Sequence, residues 1–367
     1  MTTNEFSWQR AVIKVGSALI APQGDGCKTE YLLALARFII QSRANGKEVV
    51  LVSSGSVAAG RNAIGFNGHT SIAEKQAMAA VGQTRMMANW ARLFDFPCAQ
   101  ILLTHDDIGH RQRFLNIKNT LRELLKNDVL PIINENDSVV TDELKFGDND
   151  NLASLVAMVA DAETLIICTD VDGLYDADPK NNPQAKLIKK VERIEPAIMQ
   201  LAGSTRSLVG TGGMQSKLQA ANKACQQGIQ TLIVNGRNSE VFSQLNQGQN
   251  PGTLFMPAQS FRKAKKHWLK NSLKAKGKIS VDKGAYQAIT DRGASLLPAG
   301  IHNVEGRFDA GDAVEIRFDD KSFAIGLALY SATELRKIRG EKSSAIETIL
   351  GYHSQDVAIH RDDLVVL

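Results

Sequence analysis

Residues 1–256 alternate between short apolar runs closed by turn residues and longer stretches with helical periodicity. Ala11–Val15, Glu48–Ser53, Ala99–Leu103, Val129–Asn134, Thr164–Cys168 and Thr231–Val234 form the first set, and each reads as a strand buried on both faces. In the second set, Leu32, Leu35, Ala36, Ile39 and Ile40 fall on one helical face, and Asn45-Gly46 supplies a stop. Ala73–Phe94, Asn149–Ala160 and Met214–Gln227 read as further helices. Strands that alternate with helices pair in parallel and need helices over both faces. The expected fold class is therefore α/β, a three-layer αβα sandwich around a mostly parallel open sheet. Ligands of such sheets bind at the carboxyl ends of the strands. Lys14, Ser54-Gly55, Asn134 and Thr169-Asp170 all fall at or just after predicted strand ends.

The pattern changes after Met256. At 367 residues the chain exceeds the size at which one core stops growing. We expect one α/β domain over 1–258, a basic linker over 259–278 and a small, mainly β domain over 279–367. In the last part, Lys278–Val281, Gly311–Phe318 and Phe323–Ala328 read as strands, and Ala285–Arg292 and Ser331–Arg339 as helices. Arg262–Lys278 holds eight Lys/Arg and no acidic residue, whereas Ile279–Leu367 is net −4 and residues 1–261 balance to zero. The basic charge thus sits in the connector. The four cysteines lack the spacing of a metal or disulfide framework, and no apolar stretch is long enough to cross a bilayer. These features point to a cytoplasmic protein.

Three clusters carry chemistry. Lys14 closes the first strand and precedes Gly16-Ser17, whose backbone N–H groups we expect to face a phosphate. Gly210-Thr211-Gly212-Gly213-Met214-Gln215-Ser216-Lys217 places a second lysine behind a glycine-rich turn. It is not a Walker A loop, and the Gly-rich loop and DFG of protein kinases are absent. Between the lysines, Asn134–Asp137 and Asp148–Asn151 hold seven Asp/Asn and one Glu in eight positions, a density that exceeds what a polar turn needs. Ser53-Ser54-Gly55-Ser56 opens a helix, where serine caps well and an anion also binds. Thr169-Asp170 follows a strand and suits a nucleotide contact. His105 and His110 flank an expected turn and receive no role. Lysines on glycine-containing turns, with carboxylates and carboxamides between them, are the parts of a phosphoryl-transfer site.

Lys14–Ser17, Ser53–Gly60, Asn134–Asp137, Phe146–Leu152 and Gly210–Lys217, with Gly293–Gly300 in the C-terminal part, resemble the glutamate 5-kinases, a branch of the amino acid kinase superfamily with an appended PUA-like domain. Ser17 and Ser56 stand where threonine and alanine are common, and the loop at Phe66–Thr70 looks short. The resemblance implies transfer of phosphate from ATP to the γ-carboxylate of L-glutamate, the first step of proline biosynthesis. By motif position it implies that Lys14 and Lys217 are catalytic, with Asp150 orienting them. Ser54, Gly55, Asn134, Asp137, Asp148 and Asn149 would hold glutamate. Lys14, Gly16, Ser17, Thr169, Asp170, Thr211, Gly212, Gly213, Met214, Gln215, Ser216 and Lys217 would line the nucleotide site. Mg2+ would bridge the phosphates, with no residue of the chain assigned as its ligand. The resemblance also implies feedback inhibition by proline, a homo-oligomer (dimer or tetramer) and a transient contact with glutamyl-phosphate reductase.

Two alternatives stay open at this level. One is a sister kinase acting on aspartate, N-acetylglutamate, carbamate or UMP. The other is an RNA-binding protein using the basic run and Trp268, against which the acidic balance of 279–367 argues.

Overall fold

The structure, a computed structural model of the chain, describes residues 6–64, 71–140, 148–179, 181–202, 213–261, 263–264, 275–353 and 355–367. Thr211 and Gly212, the Phe146-Gly147 pair, the Phe66–Thr70 loop and most of the basic run, Trp268 included, lie outside these residues. Two compact units divide the chain, Met1–Phe261 and Arg262–Leu367.

The strands of the first unit are β1 (Arg10–Val15), β2 (Glu48–Ser53), β3 (Cys98–Leu103), β4 (Leu130–Glu135), β5 (Thr164–Thr169), β6 (Lys190–Val191), β7 (Gln230–Asn235) and β8 (Thr253–Phe255). They lie in the order β3-β4-β2-β1-β5-β7-β8-β6. Among the described residues every pairing in this sheet is parallel except β7 with β8, a short strand that the sequence reading omits. The helices are α1 (Ser17–Ile20), α2 (Leu32–Ala44), α3 (Ser56–Gly60), α4 (Ile72–Ala91), α5 (His105–Gly109), α6 (Arg111–Lys126), α7 (Asn149–Val159), α8 (Pro196–Leu201), α9 (Met214–Gln226) and α10 (Ser239–Asn246).

The period-2 alternation of the strands builds two cores. Ile13, Val15, Leu51, Ile132 and Ile166 face one way and pack with Leu35 and Phe38 of α2, Met86 and Trp90 of α4, and Phe242 of α10. Val12, Val50, Val52, Ile133 and Ile167 face the other way and pack with Leu121 of α6, Leu152 and Val156 of α7, and Leu218 and Ala221 of α9. The expected three-layer sandwich is therefore observed. His105 and His110 do not flank a turn: His105 opens α5 and His110 is the N-cap of α6. A capping box of Thr104 and Asp107 starts α5, which explains a helix where a turn was expected.

The second unit is a five-stranded sheet of β9 (Gly277–Val281), β10 (Ile301–Gly306), β11 (Ala313–Phe318), β12 (Lys321–Leu327) and β13 (Leu364–Val366), in the order β10-β9-β11-β12-β13. Helices α11 (Lys283–Arg292), α12 (Ala332–Ile338) and α13 (Ile346–Leu350) accompany it. Ile279, Ile316, Ala324, Tyr330 and Leu335 are among its core residues. Among the described residues no helix is long and apolar enough to cross a membrane.

Candidate active site

Strand alternation decides where Lys14 points. Val12 faces the α7/α9 core, so Lys14, two residues further along β1, faces the same layer at the carboxyl edge of the sheet. Helices α7 and α9 begin at that edge. Asp150 is the second residue of α7, and Lys217 the fourth of α9. The three side chains meet: Lys14 Nζ lies 2.5 Å from Asp150 Oδ1, and Lys217 Nζ 3.2 Å from Asp150 Oδ2. The Ser216 hydroxyl donates to Asp150 Oδ2 at 2.9 Å. Asp150 has no exposed surface and each lysine is 6% exposed.

Burial alone would raise the Asp150 pKa, but the Lys14 and Lys217 ammonium groups outweigh it and hold the carboxyl at about 2. The group is therefore ionised at neutral pH, and one buried carboxylate stands between two cations. The depressed value has a consequence for stability. A carboxyl whose folded pKa lies below its ordinary 3.8 stabilises the fold above that value and loses the contribution as pH falls through about 2. We expect about 2 kcal/mol of stability to disappear between pH 4 and pH 2 on this account. Urea unfolding of wild type and Asp150→Asn across that range checks it, because the variant should lack this part of the acid sensitivity.

Helix α9 follows the N-cap Gly213, and among the described residues no side chain caps it. Its first-turn N–H groups, around Met214, Gln215 and Ser216, are thus placed beside the lysines and suit an anion. Gly16 departs from expectation. Its N–H donates to Cys168 O at 3.1 Å and is not offered to a phosphate. A Cβ there would meet Cys168 O at 3.4 Å and Lys14 Nζ at 3.9 Å, ordinary contact distances, so space does not demand glycine at this position. Ser17 opens α1 just beyond. Thr169 ends β5 with its hydroxyl 3.2 Å from Asp170 Oδ1.

The polar cluster divides in two. Asp148 is the N-cap of α7 and accepts from Asn151 N at 2.9 Å, so one carboxylate oxygen is engaged in helix capping. Asn149 sits one residue on. Its Nδ2 donates to Ser53 O at 3.2 Å and to Asn134 Oδ1 at 2.7 Å. Asp137 accepts from the Ser56 hydroxyl at 2.8 Å. The serines do not cap α3 as expected. Gly55 is its N-cap, in the left-handed region at φ 100°, which frees Ser56 for Asp137. Ser54 N donates to Val15 O at 3.0 Å and ties β2 to β1 at this edge. Lys14, Asp150, Ser216 and Lys217 thus form one cluster. Ser53, Asn134 and Asn149 form a second, and Asn149 adjoins Asp150 in sequence.

Sequence reading missed Gln83, which is 7% exposed and accepts from Asn134 Nδ2 at 2.9 Å. A signal was available: Gln83 lies at helical spacing among Ala79, Met86 and Trp90 on the buried face of α4. A polar side chain on such a face needs a partner.

Paired lysines over a buried carboxylate, beside a helix start with a glycine N-cap on a parallel sheet, are the equipment of a kinase. The chain belongs to the amino acid kinase family, whose model matches residues 9–235, and residues 277–350 match the PUA domain. Among its relatives, the glutamate 5-kinase of Idiomarina loihiensis is 53% identical over 98% of this chain and 98% of its own. That of Salinibacter ruber is 52% identical over 98% and 97%, and that of Syntrophotalea carbinolica 48% identical over 98% and 97%.

Proposed function

We propose that this kinase transfers the γ-phosphoryl group of ATP to the γ-carboxylate of L-glutamate, giving ADP and L-glutamyl 5-phosphate, the first step of proline biosynthesis. The cluster of Lys14, Asp150 and Lys217, with a carboxamide and carboxylate pocket beside it, carries the reading. The near-full-length similarity to glutamate 5-kinases supports the choice of substrate.

The nucleophile needs no general base, because a glutamate side chain titrates near ~4.3 and is ionised at neutral pH. A carboxylate oxygen forms the new bond to Pγ, the bond from Pγ to the β,γ-bridging oxygen breaks, and the electron pair leaves with ADP. The barrier is repulsion between carboxylate and triphosphate. Lys14 and Lys217 oppose that repulsion, and Asp150 holds both ammonium groups without neutralising the pair. The N–H groups at the start of α9 add positive potential where negative charge builds on the transferring group.

Among the described residues no group of three or more His, Cys, Asp or Glu is arranged to hold a metal ion. Mg2+ brought in with ATP would neutralise part of the charge of the triphosphate.

Hydroxamate formation with Mg-ATP and hydroxylamine tests the reading, with L-glutamate, L-aspartate and N-acetyl-L-glutamate compared side by side. Signal with L-glutamate alone is expected. Signal with another acid would reassign the pocket while leaving the lysine roles, and no signal from folded, ATP-binding protein would overturn the carboxylate-kinase reading.

A further inference from the structure

We infer that a cavity beside α3 and α4 is a binding site for a small organic dianion, held by Arg85 and Arg92 and separate from the lysine cluster. The cavity is open and measures about 300 Å³, at the small end of the range for ligand sites. Arg85, Asn89 and Arg92 stand at i, i+4 and i+7, so one face of α4 supplies all three. Ala88 of the same helix, Ala59 of α3 and the Gly26-Cys27 segment complete the lining. None of these residues belongs to the cluster of Lys14, Asp150 and Lys217, or to the set of Asn134, Asn149 and Asp137. The inference does not depend on which acid the kinase phosphorylates.

The two cations are unanswered. Arg85 Nη1 donates to Ala59 O at 3.4 Å, and Arg92 Nη2 donates to Asn89 Oδ1. Among the described residues neither guanidinium has a carboxylate partner, whereas Arg10, Arg113 and Arg122 pair with Glu48, Asp107 and Asp161. A guanidinium carries five N–H donors, so most of each fork stays open to a ligand. Asp25, next to the lining, accepts from Asn62 Nδ2 at 3.1 Å. The Cys27 thiol does not supply the charge either, because burial raises its pKa. The forks are also held in place. Asn89 is 3% exposed, and while its Oδ1 accepts from Arg92 its Nδ2 donates to Lys28 O at 3.3 Å. Forks fixed in advance lose less entropy when they take up an anion. Two open cations call for two negative charges. Seven residues of helix set their Cα atoms about 10 Å apart, so the acid groups belong at the ends of a short chain. Ala59, Ala88 and the Cys27 thiol offer that chain an apolar lining. Ala59 lies on the helix whose Ser56 holds Asp137, so an occupant bears on the element that borders the substrate pocket.

Calorimetric titration of the full-length protein with adipate tests the site, with monomethyl adipate and inorganic phosphate as controls. Adipate should bind with a Kd in the millimolar range or below. Monomethyl adipate has nearly the same shape and one charge fewer, and phosphate lacks the chain. Each should bind about tenfold more weakly or worse. Arg85→Gln and Arg92→Gln should each weaken adipate about tenfold or more. Both side chains are exposed, so both variants should melt close to wild type. Ala88→Glu sets a carboxylate at helical spacing from both arginines and should abolish adipate binding by answering them from within the chain. The absence of saturable adipate binding in the millimolar range would overturn the proposal. Binding that all three variants leave unchanged and L-glutamate displaces would overturn it too, because adipate would then occupy the substrate pocket. Phosphate or monomethyl adipate binding as tightly as adipate would overturn the assignment to an organic dianion.

Discussion

Lys217→Ala should lower kcat by a factor on the order of 10²–10³ while moving the KM of L-glutamate only a few fold. The reason is charge. With both lysines present, the buried cluster of Lys14, Asp150 and Lys217 carries a net positive charge to meet the transferring phosphate. Without Lys217, Asp150 and Lys14 cancel at 2.5 Å and nothing is left over. In the proposed substrate pocket Asn149 bonds Ser53 and Asn134, and Asp137 bonds Ser56, whereas the Lys217 ammonium donates to Asp150, so ground-state binding should survive. Folding should survive as well, because Asp150 keeps Lys14 and the Ser216 hydroxyl as partners. Breaking a buried ion pair outright costs about 3–5 kcal/mol, but here one of two cations remains. Lys217→Arg should not rescue turnover. A planar fork does not fit where a 6% exposed ammonium contacts one carboxylate oxygen. Saturating hydroxamate rates and thermal melts on the same preparations decide the matter. Normal turnover in Lys217→Ala would sink the assigned role, and a collapsed melting temperature would assign the lysine to structure instead.

What could be read from sequence, and what could not, follows the range of the interaction concerned. The central strands were legible because a strand covered on both faces must be apolar throughout, as Val12–Ile13, Val49–Val52 and Leu165–Cys168 are. Helix α6 was not. Only Leu115, Lys118 and Leu121 of its sixteen residues are buried, so its apolar stripe is thin. Strands β10 and β13 were missed for a similar reason, since neither has more than two buried residues. In the site, Lys14 and Lys217 stood out as lysines beside glycine-containing turns and Asp150 as part of a dense polar run, and the fold brings the three together. Gln83 did not stand out, because its partners Asn134 and Gln100 are set by tertiary structure. The same is true of the spacing between α3 and α4, which two glycines determine.

Gly82→Ala should destabilise the first unit by about 3 kcal/mol, a drop of about 10 °C in melting temperature for a unit of this size. Helices α3 and α4 cross with backbone against backbone. A Cβ on Gly82 would sit 1.8 Å from Ser56 O, and one on Gly60 would sit 1.9 Å from Met78 O. Neither obstacle is the end of a flexible side chain, so the methyl group can be admitted only if the helices move apart. Their separation is tied to the pocket on both sides. Ser56, whose carbonyl would be struck, holds Asp137 through its hydroxyl, and Gln83, next to the new methyl, holds Asn134. The shift should therefore raise the KM of L-glutamate and leave that of ATP nearly unchanged, since Lys14, Lys217 and the start of α9 lie on other elements. Melting curves with the two KM values separate the possibilities. A lower melting temperature with both KM values intact would mean that the crossing supports only the fold. An unchanged melting temperature would mean that α3 slides aside at little cost, and that its glycines do not set the position of Asp137.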